Sequence, residues 1–382
     1  MIYLDVAATS KYTNIDDIIV GTITTAMKDS WQNPSSIYAA NVKDRINKCR
    51  ENIAEFIGAK ADEIYFTSGA SESNNWAIRG WADNEINNLL HINIITTPIE
   101  HKSILSAVQS NSLNARVYYC DVDKFGFVNI VSLERLLYEH EYEHMLVSVN
   151  MANNEIGTLQ NIQMISNMVH KFGGILHVDA TQCIGHIPIN VEELGVDMMS
   201  CSGHKISSVL RGIGFLYKKN SINIQPLIYG AQEFGLRGGT ENTYGIIGLN
   251  KALEYCNVSY EAIMNLCEKR DYFIALLESK FGCKLNGHSK YRLPNNINVT
   301  FPQNVTGESL LYTLDISGIK IATGSACNSK SIEPSHVLKA IGLSDEEAMK
   351  SVRFSLPCDI TYNDIDCVIE EIGKCIKIIE TN

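Results

Sequence analysis

Between residues 60 and 217 the chain alternates short apolar runs with longer amphipathic stretches, and this rhythm constrains the fold more than any other feature. The runs Glu63–Ser68, His91–Thr97, Arg116–Cys120, Met145–Asn150, Ile175–Val178, Asp197–Ser200 and Gly212–Tyr217 have the length and composition of strands. Ser73–Asn84, Lys102–Gln109, Leu133–Glu141 and Ile162–Lys171 lie between them with helical spacing. Strands alternating with helices predict βαβ units, hence an α/β fold with a mainly parallel sheet covered on both faces.

The rhythm changes near Tyr260. A long helical stretch, Glu261–Phe281, precedes separate strands around Asn296–Phe301, Lys320–Thr323 and Ser351–Ser355, and the helix Asp364–Ile379 closes the chain. This predicts a second, smaller α/β domain. The expected division is 14–255 for a large domain and 1–13 with 256–382 for the small one. A chain of 382 residues is long enough to give each its own core.

Charge and cysteine usage narrow the function classes. Forty-three acidic against 32 basic side chains leave a net charge of −11, which argues against nucleic acid or an anionic membrane as partner. No apolar run approaches the ~20 residues that span a bilayer, and the start Met-Ile-Tyr-Leu-Asp lacks the pattern of a secretory signal. None of the 11 cysteines forms a CxxC pair, so neither a metal site nor a dithiol is indicated. Reduced thiols in the cytoplasm are the expectation.

In open α/β sheets ligands bind at the carboxyl ends of strands. Here those ends carry Ser68-Gly69-Ala70-Ser71, Glu100-His101, Asn153-Asn154-Glu155, Asp179-Ala180-Thr181-Gln182 and Ser202-Gly203-His204-Lys205. Pyridoxal phosphate requires a lysine for a Schiff base, a carboxylate facing the pyridine nitrogen, donors for the phosphate and a flat group against the ring. Lys205, Asp179, the small residues after Thr67 and His101 supply one of each. Every one of these has an ordinary reading when taken alone: a surface lysine, a helix-capping aspartate, a capping box, a structural histidine.

Longer motifs join them in order. They are Tyr3-Leu-Asp-Val-Ala-Ala-Thr9, Asn33-Pro-Ser-Ser36, Thr67-Ser-Gly-Ala-Ser-Glu-Ser73, Glu100-His101, Asn153-Asn-Glu-Ile-Gly157, His177-Val-Asp-Ala-Thr-Gln182, Ser202-Gly-His-Lys205 and Arg237-Gly-Gly-Thr-Glu-Asn242. Gly324-Ser-Ala-Cys-Asn-Ser329, Glu333-Pro-Ser335 and Arg353-Phe-Ser-Leu356 follow. The series resembles class V aminotransferase-fold enzymes, and within them the cysteine desulfurases of the NifS/IscS type. That resemblance implies the type I fold of pyridoxal-phosphate transferases, with a mainly parallel seven-stranded sheet, and the conversion of L-cysteine to L-alanine. By the same resemblance Lys205 carries the cofactor, Asp179 pairs with the pyridine nitrogen and His101 stacks on the ring. Gln182 and Asn154 lie near the ring oxygen and substrate, and Ala70, Ser71, Ser202 and His204 hold the phosphate. Thr240 reaches the phosphate of a neighbouring subunit, which implies a homodimer, and Arg353 takes the substrate carboxylate. Cys327 receives the sulfur as a persulfide and passes it to an acceptor protein, with iron–sulfur cluster assembly as one outlet. Its stretch Thr323-Gly-Ser-Ala-Cys-Asn-Ser-Lys330 suits a mobile loop, although a turn around a buried cysteine has the same composition.

The chain departs from the family pattern at Val6, at Ile206–Gly212, at Tyr229–Gly235 (with Phe234 in place of a usual Arg) and at Pro357. It also ends soon after its last helix, which carries the expectation of weak docking to an iron–sulfur scaffold. Selenocysteine lyase or another class V reaction would keep Lys205 and Asp179 without needing Cys327. A non-catalytic sulfur-trafficking subunit would have lost Lys205, Asp179 or Arg353, and all three are present.

Overall fold

The computed structural model describes residues 1–87, 92–110, 115–141, 143–324 and 333–381. Seven strands form the large sheet in the spatial order Ile64–Thr67, Gly214–Lys218, Met198–Ser202, Ile175–Asp179, His144–Asn150, Ile92–Thr96, Arg116–Tyr119. Only Gly214–Lys218 runs antiparallel to its neighbours. Its reversal leaves Ile64–Thr67 parallel to the remaining strands, so all their carboxyl ends share one edge. Central strands such as Ile92–Thr96 and Met198–Ser202 are buried throughout, because helices cover both faces and no solvated face exists to demand alternation. All seven strands predicted from the sequence are present, displaced by at most two residues at their ends.

Helices pack on this sheet for local reasons that the sequence carries. Ile162–Lys171 begins at Asn161, whose side chain accepts from Met164 N, and buries Ile162, Ile165 and Val169 on one stripe. The predicted helix at Ser73 instead begins at Ala70 and runs through a wide π turn, Trp76–Gly80, into Trp81–Asn87. The earlier start follows from Gly69, whose φ of 146° breaks the chain at once after the strand and lets its carbonyl accept from Ser73 N. Two helices in the first 60 residues, Asn14–Asp29 and Ala40–Ile57, carry no predicted counterpart; both pack on Thr243–Glu254.

The remainder of the chain builds a separate core around Leu4, Phe273, Val299, Phe354 and Ile372. A four-stranded antiparallel sheet, in the order Ala322–Thr323, Ser351–Ser355, Asn296–Thr300, Lys284–Leu285, is flanked by Tyr260–Phe281 and Tyr362–Thr381. The predicted strand Lys320–Thr323 divides in two. Ala322–Thr323 joins this sheet, whereas Ile319–Lys320 pairs in parallel with Ile2–Tyr3 at the extreme N-terminus. The N-terminal segment therefore packs with residues more than 300 positions away before crossing to the large sheet.

Candidate active site

Five strand ends and the N-terminal segment enclose a cavity of about 690 Å³ between the two cores. Lys205 follows the strand Met198–Ser202 by a single tight turn, Gly203–Lys205. Its Nζ donates to the carbonyl oxygens of Ala7 and Ala8, both at 2.7 Å. Asp179 is the last residue of its strand and is 7 % exposed. Its Oδ2 accepts from Asn74 Nδ2 at 2.8 Å and its Oδ1 from Thr181 N at 3.0 Å. Both oxygens thus act as acceptors, and the two donors fix the plane of the carboxyl group.

At the neighbouring strand end, the helix starting at Ala70 has no side-chain cap, so its first N–H groups open onto the cavity that Ala70 and Ser71 line. Backbone crowding keeps this corner narrow. A Cβ at Gly214 would overlap the Cys201 carbonyl and come within 2.7 Å of Gly69 Cα. Ser202 is buried, with its Oγ 3.4 Å from where a Gly69 side chain would begin, and His204 stands beside it in the lining. Amide N–H groups, two serine hydroxyls and an imidazole form a donor set for a phosphate. Together with a buried carboxylate and a primary amine, they fit pyridoxal phosphate.

His101 caps the helix Lys102–Val108, its Nδ1 accepting from Ser103 N at 3.1 Å. Enclosure in the cavity wall pushes its imidazole below the ordinary range; Lys205 acts in the same direction and Asp179 opposes. Desolvation drives His204 down to about 4, with Lys205 and Arg211 adding to it. Both rings are neutral near pH 7 and retain a lone pair. Burial acts the other way on Glu100, immediately behind His101, and raises it to about 8.

Arg353, 7 % exposed on the small-domain strand Ser351–Ser355, reaches the cavity from the opposite side. One edge of its guanidinium pairs with Asp5 Oδ1 at 2.7 Å, and Nη1 donates to the Asn154 carbonyl at 3.0 Å. Gln182 donates to the Ala7 carbonyl at 3.1 Å. Ten of the twelve residues predicted from the sequence thus line one cavity: Ala70, Ser71, His101, Asn154, Asp179, Gln182, Ser202, His204, Lys205 and Arg353. Thr240 does not; it is exposed in the segment before the helix Thr243–Glu254. Cys327 lies outside the described residues, while Thr323 and Gly324 just before it line the cavity.

Sequence reasoning missed several lining residues, notably Asp5, Glu155 and Arg211, and it missed Asn74, which is fully buried behind Asp179. Asp5 and Glu155 stood inside quoted motifs, but nothing in their spacing assigned them a part. Among the described residues no cluster of His, Cys, Asp or Glu could hold a metal ion, and no helix is long and apolar enough to cross a membrane.

The family model for class-V aminotransferases matches residues 2–368. A cysteine desulfurase IscS of Dictyoglomus turgidum is 42 % identical across all of this chain and 95 % of its own length. A solved NifS-like protein superposes with a TM-score of 0.88 at 32 % identity, covering 100 % of both chains. A structure of SspA in complex with cysteine superposes with a TM-score of 0.80 at 33 % identity, over 94 % of this chain and 99 % of that one. The chain belongs to the class-V aminotransferase family and groups there with the cysteine desulfurases.

Proposed function

We propose that this protein is a pyridoxal-phosphate-dependent cysteine desulfurase that moves the sulfur of L-cysteine onto Cys327. The observation that carries the reading is the convergence of Lys205, Asp179, Arg353 and an uncapped helix start on one cavity. When bound, the cofactor supplies an electron sink conjugated to the substrate α-carbon.

The chain's own residues account for the rest. Asp179, held by a hydrogen bond to each oxygen, would pair with the ring nitrogen. His101 and His204, both neutral, would border the ring and the phosphate without adding charge. Arg353 takes the substrate carboxylate through its guanidinium, a geometry suited to planar recognition. Lys205, once released from its covalent role, holds the proton removed from the α-carbon. At Cys327 the substrate Cβ–S bond breaks with its electron pair left on carbon, while an S–S bond forms to the Cys327 sulfur. The proton given up by the thiol is returned at Cβ. Cysteine thereby becomes alanine and the thiol becomes a persulfide, with no external oxidant. A sulfur-acceptor protein, a homodimer with Thr240 serving its neighbour's phosphate, and a reducing cytoplasmic setting belong to the same reading. So does a large domain of 14–255 with a small domain of 1–13 and 256–382.

Turnover tests it. The purified protein should release alanine from cysteine, and Cys327→Ala should abolish the persulfide detected by mass on the peptide carrying residue 327. Lys205→Ala should lose the yellow, borohydride-reducible cofactor. Alanine release by Cys327→Ala at the wild-type rate would sink the persulfide route and favour another class V reaction.

A further inference from the structure

Behind the cavity wall, hydrogen bonds of fixed direction join Asp179 to His101. Asn74 is 0 % exposed, and its side-chain nitrogen makes two contacts: Asp179 Oδ2 at 2.8 Å and Ser103 Oγ at 2.9 Å. Two acceptors use both amide hydrogens. The carboxylate fixes which way the amide faces, since the reverse orientation would set oxygen against oxygen. That choice leaves Asn74 Oδ1 buried with no partner among the described residues, a cost accepted so that both donors are used. Ser103 Oγ receives one amide hydrogen and has a single hydrogen to give, and His101 Nδ1 lies 2.8 Å away. Ser103 N also points at Nδ1, at 3.1 Å, and a backbone N–H cannot reverse its role.

We infer that Asn74 and Ser103 are positioning residues, which tie His101 to Asp179 and hold its neutral imidazole as the tautomer with the proton on Nε2. The inference rests on the reading of Asp179 and His101 as the two partners of the cofactor ring. A proton at Nδ1 would confront the Ser103 N–H, which cannot turn away, and would end the donation from the Ser103 hydroxyl, so Ser103 opposes both the other tautomer and the imidazolium. The charged and titratable groups facing His101 are Asp179, which favours its protonation, and Lys205, Lys102 and His336, which disfavour it. Ser103 adds to the second set through hydrogen bonds. The ring therefore enters the cavity neutral, with its one exchangeable hydrogen on the nitrogen not engaged by Ser103.

Histidine labelled with carbon-13 and nitrogen-15 in the full-length protein reads this directly by NMR. Wild-type His101 should show the Nε2–H tautomer and titrate below free histidine. Ser103→Ala should raise that titration by about half a pH unit or more, since a hydrogen bond to the neutral form is lost, and Ser103→Thr should restore it. Asn74→Ala, which removes no hydrogen-bond partner of His101, should shift it in the same direction by less. An Nδ1–H tautomer in wild type, or titrations unchanged in Ser103→Ala, would overturn the inference. Ser103 is half-buried in a first helical turn, so its variants decide the matter even where Asn74→Ala fails to fold. Pyridoxal phosphate binding is measured separately. Its failure would remove the cofactor reading and leave the tautomer, read in the cofactor-free chain, standing.

Discussion

Asp179 lines the cavity and Glu100 is buried outside its lining, and their hydrogen-bond surroundings differ. Asp179 has a donor on each oxygen. Glu100 accepts from Thr97 Oγ1 at 2.6 Å and Asn150 Nδ2 at 2.9 Å, both at Oε1, while its buried Oε2 has no partner among the described residues. A carboxyl in that position is better protonated, and burial accordingly lifts it from 4.5 to about 8. The folded chain then binds a proton that the unfolded chain releases near pH 4.5. Stability from this group is complete below that pH and is withdrawn as pH rises towards 8, at about 1.4 kcal/mol per pH unit. Glu100→Gln keeps the shape without the proton, so thermal midpoints of the variant should fall less between pH 5 and 9 than those of wild type. Parallel curves would show that Glu100 is already ionised in the native state.

At the scale of elements, the N-terminal strap and the Tyr229–Gly235 segment do work that their local sequence does not announce. Asp5 pairs with Arg353, Ala7 and Ala8 receive Lys205, and Ser10 N donates to the His204 carbonyl, so one short strap joins the strand Ser351–Ser355 to the end of the large sheet. In the second segment, Glu233 and Phe234 adopt φ of 45° and 59°, which costs roughly 1 kcal/mol or more per residue for side chains of this size. The surrounding contacts offset it. Glu233, 6 % exposed, accepts from both terminal nitrogens of Arg50 at 2.8 and 2.9 Å and from Phe66 N. The guanidinium of Arg50 is sandwiched between the Phe66 and Phe234 rings, 4.6 and 5.0 Å from their centroids. Phe234 thus covers a buried ion pair. Removing one member of such a pair strands the other, so Glu233→Ala should lower the unfolding free energy by roughly 3–5 kcal/mol in a urea melt. A loss under 1 kcal/mol would mean that Arg50 finds another partner.

For the whole molecule, Trp31, Ile37, Tyr38 and Tyr229 are large apolar side chains left exposed, at 67, 99, 76 and 80 %. The proposed homodimer with shared sites would cover such side chains and give Thr240, also exposed, a site to serve. Light scattering should give twice the 42.5 kDa chain mass. Co-expressed Lys205→Ala and Thr240→Ala chains should recover activity beyond either alone, because each hybrid dimer rebuilds one complete site. A monomeric mass or no recovery would remove Thr240 from the site. Across the molecule, the parallel sheet was legible because strands buried on both faces must be short and apolar, and helices of ten residues must keep an apolar stripe. Strand-end residues were legible because such sheets place ligands there. The first 60 residues were less so: their helices bury their apolar faces largely against Thr243–Glu254, a partner far along the chain.

The sequence by itself determined the α/β class, the order of the strands along the chain and the set of polar residues at their ends, since periodicity and side-chain chemistry are local properties. Tertiary structure alone decided which of these residues meet. Asp5 reaches Arg353 across 348 positions, Lys205 finds its acceptors 197 and 198 positions earlier, and Asn74 bridges Asp179 to Ser103. Burial, hydrogen-bond direction and the resulting proton positions on His101 and Glu100 exist only once those distant segments have closed around one cavity.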